Sequence, residues 1–354
     1  MSPEQTILLS ILVPFLGAAL IALTWVNPNI RETITLITGA ILFYLVSSIY
    51  PVVAGGAQPS VILFEMLPGL AIAFTVEPLG MIFAAIASFL WIITTVYSIG
   101  YMRGHDEQNQ TRFYVLFAIA IGAAIGIAFA GNMLTLFVFY EVLTISTFPL
   151  VTHHGTPEAK RAGRVYLGIL LTTSIAFQLV AIIWTWSLVG TLDFTQGGIL
   201  NGKVGGLTAA ILLGLYVFGI GKAALMPFHR WLPAAMIAPT PVSALLHAVA
   251  VVKAGVFTVL KVAVYIFGVD FLFSIEASQW FLYLAAATVL IASLVAMSKD
   301  NLKARLAYST ISQLSYIILG AMLANASGLI GGSMPMAMHA FGQITLFFCA
   351  GALS

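Results

Sequence analysis

The stretch Leu207–Pro233, LTAAILLGLYVFGIGKAALMPFHRWLP, begins as a membrane span and then departs from one. No charge interrupts the run from Leu207 to Ile220. Lys222 then appears before any loop signal, with Pro227 five residues later. A lysine at the centre of a bilayer costs at least about 3 kcal/mol. Pro227 has no N–H, so in a continuous helix the carbonyl of Ala223 would lose its partner. Non-helical backbone at membrane depth is tolerated only against protein or a wet cavity. The stretch therefore predicts a helix that breaks at a lysine, inside a bundle of membrane helices.

The rest of the chain agrees. Of 354 residues, 61% are hydrophobic and only 7% are charged, and the mean hydropathy is +1.06. Soluble proteins carry about 25% charged residues. A soluble core could not hide this much apolar surface, so the chain is an integral membrane protein. Its net charge of +2 does not point to nucleic acid. The single cysteine, Cys349, excludes an intrachain disulfide. The N-terminal MSPEQTILLS lacks the basic residues of a signal peptide, so the first apolar run is read as a retained span.

A spanning helix needs about 20 apolar residues. Runs of that kind predict about eleven spans, near residues 5–26, 31–54, 79–101, 113–130, 133–151, 165–189, 207–226, 241–265, 279–297, 305–325 and 328–354. The fold class is all-α, a polytopic helical bundle forming one transmembrane domain over 1–354. With the N-terminus outside, the inner loops hold Arg31, Arg103, Arg112, Lys160, Arg161, Arg164, Arg230, Lys299, Lys303 and Arg305. That is ten of the fourteen basic residues, as the positive-inside rule requires. Lys203 and Lys261 fall on the outer side, and only Lys222 and Lys253 remain within spans. The segment 55–78, with its Gly, Pro and short apolar runs, predicts a small outer hairpin. The expected location is the plasma membrane, or inner membrane, of the cell.

Five ionisable residues lie in apolar runs. Glu141 sits near the middle of LTLFVFYEVLTISTF, and Lys222 at the helix break. His247 and Lys253 lie in SALLHAVAVVKAGVF, and His339 in MPMAMHAFGQITLFF. Intramembrane charge is a functional-site hypothesis by default. The bland readings are a buried ion pair that only fixes packing, and neutral histidines bonded to neighbouring backbone. Thr240 and Pro241 predict an N-cap and first turn for the helix of His247. Six residues separate His247 from Lys253, about 120° and about 9 Å in a regular helix. Gly331 and Gly332 suggest an irregular start to the helix of His339. His229, beside Arg230, and the pair His153 and His154 are expected at the inner surface, the last two solvated. No Walker A or dinucleotide fingerprint is present, and the histidines lack zinc-protease spacing. One cysteine cannot ligate an iron–sulfur cluster.

Three stretches carry a resemblance. KAALMPFHRWLPAAMIAPTPVSALLHAVAVVKAG, LFVFYEVLTISTFPLV and DNLKARLAYSTISQLSYIILG resemble the proton-conducting subunits shared by Mrp-type cation/proton antiporters and respiratory complex I. Together they cover much of residues 133–320, and the wording is most similar to the D-type Mrp subunits. The resemblance implies an antiporter-like core over 113–354. It implies that Glu141 and Lys222 form an ion pair of a proton path that Lys253 continues along the midplane. Two departures stand out: Gln343 replaces the lysine of the family's HAFGK, and family members run several helices beyond CAGALS, so a C-terminally shortened fold is expected.

The function implied is proton translocation within a multisubunit Na+/proton antiporter. The path would comprise Glu141, Lys222, His247, Lys253 and His339, and other membrane subunits would be the partners. The alternatives are a proton-pumping subunit of a complex I-like NADH:quinone oxidoreductase or membrane hydrogenase, and a non-conducting scaffold. No cofactor is expected on this chain, and any redox activity would belong to its partners.

Overall fold

The computed structural model describes residues 1–67 and 69–353. Eleven long helical segments follow one another where the sequence places the spans. They are α1 (Pro3–Leu23), α2 (Pro28–Ala54), α3 (Pro78–Gly104), α4 (Gln110–Ala128), α5 (Met133–Val151), α6 (Pro157–Val189), α7 (Gly206–Gly219), α8 (Thr240–Phe267), α9 (Glu276–Met297), α10 (Leu302–Met322) and α11 (Ala326–Ala352). Among the described residues, eight of these are long and apolar enough to cross a membrane by length and composition, and α7 is a shorter apolar helix.

Apolar residues cover the outside as well as the core. Leu9, Leu12, Leu16 and Leu20 form an exposed stripe along α1, and Leu290, Leu294 and Met297 do so on α9. Many interior hydroxyls are satisfied by their own helices. Ser10 donates to the Thr6 carbonyl at 2.7 Å, and Thr94 to the Leu90 carbonyl at 2.7 Å. Lipid offers no alternative partner, so such local bonds are the economical solution.

The loops sort onto two faces. On one, Arg31 bonds Gln110 and Thr111, Arg103 and Arg31 both pair with Glu32, and Arg112 donates to the His153 carbonyl. Lys303 reaches the Ala238 carbonyl on the same face at 2.6 Å. On the other lies the expected hairpin, β1 (Ser60–Leu67) paired antiparallel with β2 (Leu70–Thr75). The β2 strand docks on the α4–α5 turn, where Thr135 Oγ1 accepts from Ala73 N and Ala73 O accepts from Gly131 N.

Three details depart from expectation. The span expected to run to residue 226 already ends at Gly219, while the break itself falls beside Lys222 as expected. α8 starts at Thr240 itself, and the Thr240 hydroxyl is buried without a hydrogen bond rather than capping the helix. α11 starts at Ala326, capped by Asn325, so Gly331 and Gly332 lie inside it; Gly332 faces Gly320 where α10 and α11 pack closely.

Candidate functional site

After α7 the chain makes a 3-10 turn at Gly221–Ala223, then irregular backbone to Trp231. This segment is wedged between α6 and α8. A side chain at Gly221 would overlap Thr173 of α6, and one at Gly255 of α8 would overlap the backbone of Lys222 and Ala223. Trp231 Nε1 closes the wedge by donating to the Gly221 carbonyl at 3.0 Å. The result delivers Lys222 into the bundle with 0% exposure.

Lys222 docks on α5. Its Nζ donates to the Tyr140 carbonyl at 2.9 Å and to Thr144 Oγ1 at 2.5 Å, and rests 3.1 Å from the Tyr140 ring centroid. Its backbone N–H donates to the Tyr140 hydroxyl at 3.1 Å. The implied ion pair with Glu141 is not formed as a direct contact. No Glu141–Lys222 approach within 4.0 Å occurs among the described residues. The reason is helical geometry: Tyr140 and Thr144 share a face, and Glu141 lies about 100° round the helix. Glu141 instead shares its face with exposed Val138 and Ile145, yet both carboxylate oxygens are buried and lack a hydrogen bond.

A second cluster gathers on α8, α10 and α11. Lys253 Nζ donates to His339 Nδ1 at 2.8 Å. One turn along α11, Gln343 donates to Thr310 Oγ1 at 2.8 Å and to the Leu306 carbonyl at 3.0 Å. Thr310 Oγ1 also pairs with His247 Nδ1 at 3.3 Å. His247 and Lys253 therefore reach the same pair of helices. The regular helical offset does not apply, because α8 has a wider π turn at Leu245–Val249 and a non-helical Ala250 between them. His247 Nε2 and His339 Nε2 are buried and carry no hydrogen bond.

Other expected positions differ. His153 is buried rather than solvated. It lies 3.8 Å from Glu107, and burial pushes its pKa below the ordinary histidine value. His154 remains exposed beside Glu107 at 3.2 Å, and His229 is half-buried near the Tyr308 ring. Lys261, placed at the outer surface by the sequence, is buried within α8 and paired directly with Glu77. Sequence alone does not single out Thr144, Tyr140 or Thr310. Each is an ordinary polar residue in an apolar helix, and only its tertiary neighbours distinguish it.

One helix ends beside a buried lysine, and a second lysine–histidine cluster lies in the same bundle of membrane helices. Residues 130–354 match the model of the NADH:quinone oxidoreductase/Mrp antiporter transmembrane family, and the chain belongs to that family. It is 32% identical to a probable K(+)/H(+) antiporter subunit of Rhizobium meliloti, over 99% of this chain and 35% of that protein. It is 29% identical to NADH-quinone oxidoreductase subunit N of Desulforudis audaxviator, over 81% of this chain and 57% of that one. It thus spans only about a third to three fifths of these relatives. In the Mrp complex from Dietzia sp. DQ12-45-1b, a chain superposes with a TM-score of 0.87 at 22% identity, covering 100% of this chain and 65% of that one.

Proposed function

We propose that this chain moves protons within a multisubunit cation/proton antiporter, with Na+ as the exchanged cation. The observation that carries this reading is the Lys253–His339 hydrogen bond, 2.8 Å long between a buried lysine and a half-buried histidine. A proton can pass along it from the lysine nitrogen to the imidazole, breaking one N–H bond and forming another. Lys222, held by neutral groups alone, is a second carrier, because its charge can be removed. Arginine stays charged in proteins and could not serve. Glu141 sets the field beside Lys222 and receives or delivers protons at the flank of the bundle. Gln343 cannot carry a proton as a lysine would; it orients Thr310 against His247. Other membrane subunits would cover the flank and complete the path.

Similarity to an NADH-quinone oxidoreductase subunit N supports a second reading, a pumping subunit of a redox-driven complex. The chemistry on this chain is the same in both. The test is Lys222→Arg in assembled complexes, with transport read by a pH dye in vesicles. A carrier role predicts a loss on the order of a hundredfold or more. Near-normal transport would leave Lys222 as a fixed electrostatic anchor.

A further inference from the structure

We propose that Glu77, Lys261 and Tyr265 form a separate proton-carrying site between the interior cluster and the hairpin face. The inference rests on the proton-transport reading above.

Lys261 and Glu77 are 1% and 4% exposed. Lys261 pairs directly with Glu77, and the Tyr265 hydroxyl donates to the second oxygen of the same carboxylate. Aromatic rings enclose the ammonium: Phe194 at 4.2 Å, Tyr265 at 4.8 Å and Phe257 at 5.6 Å from their centroids. Charge this deep is costly, and a buried pair is weak evidence of a stabilising role. Asp193, on the loop that carries Phe194, is exposed and engaged by the Thr191 hydroxyl. Among the described residues, Glu77 is the one charged group that acts on Lys261. The ammonium already occupies the carboxylate, which leaves no oxygen cage for a metal cation, so the cargo that fits is a proton.

The placement joins two regions. Lys261 lies eight residues beyond Lys253 on α8, about 12 Å along the axis. Phe257, packed on Phe83 at 5.2 Å, separates them as an apolar plug. On the far side, a cavity of about 290 Å³ opens, mostly apolar in its lining, with Tyr265, Gln58, Gln196 and Ser333 as its polar groups. Half-buried Tyr265 is thus the link between the pair and that mouth.

The transfer balances. A proton leaves Lys261 Nζ for a Glu77 oxygen, giving a neutral amine and a neutral carboxylic acid with no change in the site's net charge. The neutral Glu77 carboxyl turns to bring that proton to the Tyr265 side, and the Tyr265 hydroxyl turns, accepts it at oxygen and gives its own to water in the cavity. The amine is then reloaded from the Lys253 side by water that crosses the Phe257 plug. One proton enters for each that leaves, and the reverse sequence runs inward.

The test uses the assembled complex in vesicles, with assembly checked for every variant. Lys261→Arg keeps the pair's charge, so a packing role predicts parental transport. The carrier role predicts a fall on the order of a hundredfold. Tyr265→Phe removes only one hydroxyl and serves where the arginine does not assemble; it should slow transport severalfold and leave assembly intact. Parental transport in assembled Lys261→Arg, or in Tyr265→Phe, would overturn the proposal. Lys222→Arg runs alongside. Loss there with parental rates in the outer variants sinks this inference alone, while loss only in the outer variants removes the Lys222 carrier and keeps the outer site.

Discussion

Lys253 and His339 are 86 positions apart in sequence and 2.8 Å apart in space. The contact ties α8 to α11 through a bond that either partner's protonation would change. Lys253→Arg should therefore assemble and transport poorly. His339→Ala should do the same, since it removes the acceptor and leaves a buried ammonium unpaired. Transport by vesicles containing each variant is the measurement, and parental rates in both would show the bond to be packing.

Thr144 is the side-chain acceptor for Lys222. Thr144→Val keeps the shape of the residue and removes the hydroxyl, so Lys222 retains only the Tyr140 carbonyl. The expected outcome is a severalfold loss of transport with unchanged assembly. The same substitution at Thr147, whose hydroxyl bonds Tyr166 instead, should not reproduce it. Equal effects at both positions would mean that the helix, not the lysine, is what responds.

Gly255→Ala should be disproportionately harmful. The added methyl meets the backbone of Lys222 and Ala223, which cannot move aside as a flexible side chain would. Overpacking of this kind costs roughly 1–3 kcal/mol. A fall in thermal stability accompanied by loss of transport is expected. Gly168→Ala on α6, where nothing lies close, should be harmless. A Gly255→Ala variant with parental melting temperature would contradict the wedge.

The hairpin face and the basic face should label differently. Cys349 is exposed and must first become serine. A cysteine at Ser60 should then react with an impermeant thiol reagent from the opposite side of the membrane to one at Thr156. Under the positive-inside rule the expected outcome is labelling of Ser60 from the outside. Labelling of both from one side would refute the alternation of the eleven helices.

His153 gives a pH expectation. Burial, opposed by Glu107 and reinforced by Arg112, lowers its pKa in the folded state. Proteins with a depressed histidine lose that group's contribution as pH falls below the ordinary value of about 6.5, because the unfolded chain then binds more protons. His153→Gln should blunt the drop in melting temperature between neutral and mildly acid pH. An unchanged drop would place the acid sensitivity elsewhere.

Much of this is legible in the sequence because membrane helices announce themselves by length and charge. The eleven segments, the hairpin at 60–75 and the break at Lys222 all follow from local pattern. The departures share one cause. Glu77 stands at a loop-to-helix boundary and Lys261 near a helix end, where sequence alone predicts solvent; only the packing of α3 against α8 and the loop of Phe194 buries them. His153 is hidden for the same reason, since Glu107 of the α3–α4 loop and Arg112 and Phe113 of α4 enclose it. The separation of Glu141 from Lys222 is not legible because opposite charges in lipid suggest contact, whereas the turn carrying Lys222 delivers it one residue away on the helix.

The 3-10 turn at Gly221–Ala223 also has a mechanical side. A continuous helix is a stiff rod that carries a push from end to end; a turn between rods is a joint. Because Trp231 grips the Gly221 carbonyl, a shift of the segment near Trp231 pulls directly on the backbone of Lys222 and leaves α7 unbent. The lysine thus rides on a short lever whose handle is the segment near Trp231.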